Sequence, residues 1–222
     1  LVPMGDALGG GTGEAILSNY IPVLRSPMFL TGMALFGSGF AISLIRILRW
    51  LRPGMLPLAG RVHGTGLMAA ALAAVAAMGS LALSAAALPA DLPPAVFYEK
   101  LFWGPGHIMQ SMHVLLMMAA WLMLADAANI PLRSSAKTQL LMFFLALLPV
   151  LAAPLVHLAY PPESTEFRSA YTELMRWTNW PGVALLAADI IIGLIQRGRN
   201  GERWTAATWA LALSIVLLVA GL

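Results

Sequence analysis

The sequence predicts an all-α membrane protein, a polytopic transmembrane bundle of about six helices. Hydrophobic residues make up 59% of the 222 residues, whereas charged residues make up only 10%. The mean hydropathy is +0.80, and a soluble globule of this size cannot bury that much apolar surface. Six stretches are also long and apolar enough to cross a bilayer, which takes ~20 helical residues.

The predicted spans follow one another with short connections. Residues 1–27 contain too much glycine and too short an apolar run for a signal peptide or a span, so we expect a loop or a clipped N-terminal segment. Residues 28–222 are expected to form one transmembrane domain, whose second span is a ladder of small residues suited to close helix packing. The spans are predicted at Met28–Leu48, Gly64–Leu88, Trp103–Ala125, Thr138–His157, Trp180–Gln196 and Trp204–Leu222.

Basic residues divide unequally between the two sets of loops. The loops after spans one, three and five carry nine Lys and Arg residues, and the other side carries four. Because cytoplasmic loops hold the excess of basic residues, the odd-numbered loops are expected in the cytoplasm. We therefore predict an integral protein of the bacterial inner (cytoplasmic) membrane, with the lipid bilayer as a partner. Basic residues confined to short loops argue against nucleic-acid binding.

Histidines are the candidate metal ligands, since the chain has no cysteine and hence no thiolate. His107 lies near the outer end of span three, and His157 lies near the outer end of span four, which runs the opposite way. The two are therefore expected at similar depth on adjacent helices. Neutral imidazole binds copper, zinc and heme iron, so this pair is the candidate metal site. His113 lies about 9 Å deeper and is expected to face elsewhere, and His63 belongs to the cytoplasmic side.

Two further polar residues are singled out by position. Gln110 follows His107 by one turn and is expected to orient its ring or to reach a partner. Asp189 stands alone in the apolar stretch ALLAADIIIGLI, where a carboxylate is costly, so we expect it to serve a proton path. The alternative for Asp189 is a hydrogen bond to Ser, Thr or backbone inside the bundle. The alternative for the histidines is a hydrogen bond to a carbonyl or to water.

Two segments resemble a known family. FWGPGHIMQ, which contains His107, resembles the copper-ligand segment of the sixth helix in subunit I of the heme–copper oxidases and nitric oxide reductases. His157 follows 50 residues later, similar to the family's step to the histidines of its seventh helix. EFRSAYTELMRWTNWPG resembles the connection into the eighth helix of divergent members. The resemblance implies that the six spans match helices four to nine, that His107 and His157 are copper ligands, and that copper and heme are the cofactors.

The resemblance also implies that the binuclear site is not complete in this chain alone. His157 is flanked by Val156 and Leu158 where the family has adjacent histidines, and Ser111 stands where many oxidases have a tyrosine. The family's heme-ligand helices, the second and the tenth, have no equivalent in these 222 residues. Other membrane subunits or further helices are therefore expected as partners, and the sequence does not indicate the electron donor.

Three functions are compatible with these patterns. The resemblance implies a subunit, or a portion of one, of a respiratory oxidoreductase that reduces O2 or NO at heme and copper. One alternative is a membrane protein that handles copper or heme or assists assembly. The other is a non-catalytic structural subunit of a membrane complex, in which the histidines only satisfy helix ends.

Overall fold

A computed structural model describes residues 27–50 and 58–221 of the chain. The predicted all-α fold is confirmed, because every regular element in these ranges is helical. The predicted N-terminal segment, residues 1–27, lies outside the described residues except for Pro27. The helices are α1 Pro27–Trp50, α2 Leu58–Ala87, α3 Pro94–Ala127, α4 Ala136–Ala159, α5 Thr165–Leu174, the π turn Met175–Asn179, α6 Trp180–Arg199 and α7 Ala206–Ala220.

Five of these helices are long and apolar enough to cross a membrane. They are α1, α2, α3, α4 and the continuous 35-residue helix that α5, the π turn and α6 form together. The protein is therefore an integral membrane protein. The sixth predicted span corresponds to α7, whose 15 residues fall short of the ~20 that a full span needs.

Two helices begin earlier than the hydropathy pattern predicts. α3 begins at Pro94, because proline suits a first turn whose backbone N–H groups have no partner within the helix. α5 begins after Ser164, whose side-chain oxygen accepts a hydrogen bond from the backbone N–H of Phe167. The charged residues of α5 lower its hydropathy, and a span-length window misses it. Its core-facing residues, Phe167 and Tyr171, are nevertheless buried one turn apart.

The core lies where α2, α3 and α4 pack together with α6. The small residues of α2 face this core, which confirms the predicted packing ladder. By contrast, α1 packs only against α2 among the described helices, and only 6% of its apolar window is buried. The buried alanines of the ladder are Ala69, Ala70, Ala73, Ala74 and Ala77.

Helices of alternating direction give the bundle two ends. α2 and α4 end, and α3 and α5 begin, at the end that carries Lys100 and Arg168. We call this the predicted outer end, because the distribution of basic residues places it outside the cytoplasm. The opposite end, where the connection between α3 and α4 lies, is called the predicted inner end.

Candidate functional site

The two histidines of the predicted metal pair pack against the same aromatic ring. The ring centroid of Tyr171, on α5, lies 6.1 Å from that of His107 and 6.1 Å from that of His157. Tyr171 is only 2% exposed. The structure thus brings together residues of α3 and α4 at the predicted outer end, with α5 between them. We call His107, His157, Ser80 and Tyr171 the outer cluster.

A backbone carbonyl holds the ring of His107. Its Nδ1 lies 2.8 Å from the carbonyl oxygen of Trp103, one turn earlier on α3. A carbonyl oxygen only accepts, so Nδ1–H is the donor, and in the neutral ring Nε2 carries no proton. Metal-binding histidines commonly have this arrangement, in which the second ring nitrogen is anchored by a carbonyl. His107 is 6% exposed, so its ring is oriented inside the protein.

His157 is anchored by a hydroxyl group of α2. Its Nε2 and the Oγ of Ser80 share a hydrogen bond of 2.8 Å. The same Oγ lies 3.5 Å from the hydroxyl oxygen of Tyr171. Phe167 packs edge-on against His157, with ring centroids 5.0 Å apart. A chain of polar groups therefore runs from the half-buried His157 through Ser80 to the buried phenol.

A glycine makes this close approach between helices possible. A Cβ at Gly104, on α3, would lie 2.9 Å from Ser80 Oγ, 3.1 Å from Tyr171 Cε2 and 3.2 Å from Phe167 Cζ. These distances are shorter than ordinary contacts, so a side chain here would push α2 and α5 away from α3. Gly104, the first residue of the GPG motif, therefore has a packing role in assembling the outer cluster.

Trp103 and Arg168 pack on the side of the outer cluster that His107 forms. The indole of Trp103 lies against His107, with ring centroids 5.0 Å apart. Its Nε1–H donates to the carbonyl oxygen of Arg168. The guanidinium carbon of Arg168 lies 4.3 Å from the centre of the Trp103 ring, a cation–π contact. Lys100 of α3 also donates to the carbonyl oxygen of Glu163, which ties the start of α3 to the α4–α5 connection.

The outer cluster offers two imidazoles but not a complete metal site. Among the described residues, no group of three or more His, Cys, Asp or Glu side chains is placed to hold a metal ion. The Trp103 carbonyl holds Nδ1 of His107, whereas Ser80 holds Nε2 of His157. The described part of the chain therefore does not form a complete metal site by itself.

Gln110 is not the group that orients His107, because the Trp103 carbonyl holds that ring. Gln110 instead lines a separate cavity together with His113. His113 therefore faces away from the pair, as predicted. His63 lies at the predicted inner end, where its Nε2 is 3.2 Å from a carboxylate oxygen of Asp126. Neither of these two histidines belongs to the outer cluster.

Asp189 binds the backbone of the α3–α4 connection. Its two carboxylate oxygens accept hydrogen bonds from the backbone N–H groups of Arg133, at 2.9 Å, and Ser134, at 3.1 Å. The side chain is 8% exposed. This is the alternative of a backbone hydrogen bond inside the bundle, and it gives the buried Asp189 a structural role. The proton path stays a prediction.

Asp189 is one of three residues that hold this connection along α6. A Cβ at Gly193 would lie 2.5 Å from Ile130 and 2.9 Å from the carbonyl oxygen of Pro131. The guanidinium of Arg197 donates to the carbonyl oxygen of Ala128 at 2.6 Å. Spaced by four residues, the three share one face of α6. A carboxylate, a glycine and a guanidinium thus dock residues 128–134 in the bundle and satisfy their backbone groups, as an apolar environment requires.

Sequence reasoning missed two members of the outer cluster, Ser80 and Tyr171. Ser80 lies in a span where a hydroxyl can also bond to its own helix, so nothing in the sequence marks it. Tyr171 lies in a polar segment that was expected to be a connection. One signal could have found it, because Phe167 and Tyr171 are aromatic residues four positions apart that follow Ser164, a helix-capping residue type.

Comparison with known proteins gives one distant relative to report. The chain is 23% identical over 190 residues to an uncharacterised protein of Rickettsia prowazekii (strain Madrid E). The aligned region covers 82% of this chain but only 36% of that relative, so the chain spans about a third of its length. No family model matches the chain, and no solved structure matches it.

Proposed function

We propose that this chain is the central helical portion of a membrane oxidoreductase subunit of the heme–copper oxidase type, acting on O2 or NO in the bacterial inner membrane. The convergence of His107 and His157 on Tyr171 carries the proposal. It joins, at one end of the bundle, the two histidines that the resemblance to the family selects as copper ligands. Heme and copper, when bound, would supply the redox chemistry.

The residues of this chain would have defined tasks in such a protein. Trp103 fixes the proton of His107 on Nδ1, which presents an unprotonated Nε2 as a ligand. Ser80 holds the His157 ring and can release Nε2 by turning its hydroxyl group toward Tyr171. Trp103 and Arg168 would cover His107 and limit the access of water to it.

The remaining ligands would come from outside the described residues. The two imidazoles need at least one more ligand for a typical copper site, and heme needs its own. The aligned region covers only 36% of the relative from Rickettsia prowazekii, which is compatible with further ligands outside the part that matches. Among the described helices α1 packs against α2 alone, and further helices would pack on its exposed surface.

A structural role is the second candidate, and one observation favours it. The anchored ring nitrogens of the pair already have hydrogen bonds, from His107 Nδ1 to a carbonyl and between His157 Nε2 and a hydroxyl. A buried histidine with satisfied hydrogen bonds can be retained for stability alone.

Copper analysis together with an optical spectrum of the protein purified from membranes separates these functions. We expect stoichiometric copper that is lost in His107→Ala and in His157→Ala, and heme absorption bands when the partner helices or subunits are present. The matched controls are His63→Ala and His113→Ala, which remove histidines outside the cluster and should keep the copper. Copper without heme in the complete complex would indicate copper handling. Absence of copper, or equal copper in all four variants, would overturn the metal site.

A further inference from the structure

A second cavity lies on the side of α3 away from the outer cluster. It has a volume of about 480 Å³, is lined by residues of α3, the π turn, α6 and α7, and is open on one side. Hydrophobic and aromatic side chains form most of its wall, among them Met175, Trp180 and Leu218. Its polar wall consists of Gln110, His113 and Asn179. A largely apolar cavity of this size with a few convergent polar groups is typical of a small-molecule site.

The polar groups of this cavity lie deep in the predicted membrane. The apolar span of α3 is predicted to begin at Trp103. His113 is ten residues beyond it, or about 15 Å along the helix, which is half the thickness of a ~30 Å hydrocarbon core. Gln110 and His113 are three residues apart and share one face of the helix. Both side chains are exposed in the described chain. Exposing them to lipid tails is unfavourable, so this face is suited to an occupant that can form hydrogen bonds.

The third polar residue is already paired and shapes the wall. Asn179 Nδ2–H donates to Ser111 Oγ at 3.2 Å, and Asn179 is 3% exposed. It closes the π turn, whose wider backbone turn sets Met175 and Asn179 against α3. Single π turns of this kind occur often at functional sites. Gln110 and His113 are therefore the groups that remain to contact an occupant.

The volume and the charge of the cavity narrow the choice of occupant. A helix about 10 Å across would fill 480 Å³ with only about one turn, so the space is too small for a partner helix along α3. No Lys or Arg side chain lies among the described residues that line it, so an anionic phospholipid head has no counter-charge. An acyl chain alone would leave the amide and the imidazole unsatisfied.

We propose that this cavity binds a lipid-soluble molecule with a carbonyl-bearing ring as its head and an apolar tail. The N–H groups of Gln110 and His113 donate to the carbonyl oxygens, and Met175, Trp180 and Leu218 contact the ring and the tail. The tail leaves toward the lipid. This site is independent of the outer cluster, and it does not require the proposed oxidoreductase function.

Fluorescence quenching with a decyl-substituted 1,4-benzoquinone tests the proposal on the protein in lipid nanodiscs. Quinone rings quench tryptophan fluorescence on contact, and Trp180 lies in the wall of the cavity. We expect a saturable component that disappears in Trp180→Phe. Loss of one hydrogen bond should weaken binding by about 2- to 12-fold in His113→Leu and in Gln110→Leu. Decylbenzene, which has the tail but no carbonyl, should not compete.

The matched control is His63→Leu, which removes a histidine outside the cavity and should bind the probe like the wild type. Quenching without saturation would overturn the proposal, as would wild-type affinity in both His113→Leu and Gln110→Leu. If one of these variants fails to fold, the other carries the same test.

A single-cysteine variant, His113→Cys, tests whether a second copy of the chain occupies the cavity, since the chain has no other cysteine. Disulfide-linked dimers of this variant in membranes would overturn the small-molecule site, and its modification by a lipid-soluble maleimide, blocked by the quinone, would support it.

Discussion

Substituting Gly182 by alanine tests a close contact between two spanning helices, α4 and α6. A Cβ at Gly182, on α6, would lie 2.3 Å from the backbone carbonyl oxygen of Met142, on α4. A backbone oxygen cannot swing aside as a side chain can, so α4 and α6 would have to separate. Overpacking of this kind costs about 1–3 kcal/mol, occasionally more, and the better helix propensity of alanine returns up to ~1 kcal/mol. We expect the free energy of unfolding to fall by about 2 kcal/mol.

The matched control for this prediction is Gly79→Ala. Gly79 lies inside α2, and a Cβ there would meet nothing within 4 Å, so only the gain in helix propensity remains. Thermal unfolding in detergent, followed by circular dichroism, should show a melting temperature about 4–8 °C lower for Gly182→Ala than for the wild type. Gly79→Ala should melt at the same temperature or higher. If Gly182→Ala melted as high as Gly79→Ala, the close packing of α4 on α6 would be refuted.

Three further predictions concern the buried carboxylate, the outer cluster and the orientation of the chain. Asp189→Ala should lower the free energy of unfolding by about 2–3 kcal/mol, because two backbone N–H groups lose their acceptor, and Asp189→Asn should lower it less. Equal melting temperatures of the wild type and both variants would contradict the role of Asp189 in holding the α3–α4 connection. Ser80→Ala should lower the free energy of unfolding by about 1 kcal/mol. Copper binding should stay the same or increase, since the substitution removes the hydrogen bond to Nε2 of His157, and loss of copper in metal analysis would contradict a metal-ligand role of that nitrogen. A reporter fused after Arg61 should lie in the cytoplasm, and one fused after Asp91 should lie outside it. The opposite locations would show that the predicted orientation of the chain in the membrane is wrong.

The spans and the positions of the histidines could be read from the sequence for a simple physical reason. Hydrophobic length predicts that a helix crosses the bilayer, and alternation of direction then places residues by depth. His107 and His157 pack against the same tyrosine ring because α3 and α4 run in opposite directions, which brings the first half of α3 beside the end of α4. The length of α3 was underestimated, since its first turns include the charged Glu99 and Lys100, which hydropathy does not assign to a span.

The contacts of the site depend on side-chain geometry that a linear pattern does not contain. The partner of His157 is Ser80, 77 positions away on α2, and the partners of Asp189 are backbone N–H groups of a connection. Neither pairing produces a periodic pattern in the sequence. Gln110 was placed beside His107 by its spacing along α3, but the carbonyl of Trp103 takes that role because it lies one turn below the ring.

X-ray absorption at the copper edge of the metal-loaded protein tests whether His107 and His157 bind one metal ion beside Tyr171. We expect scattering from two imidazole rings in the wild type and from one in His107→Ala or His157→Ala. A copper shell with no imidazole, or one that neither substitution changes, would contradict binding by both histidines.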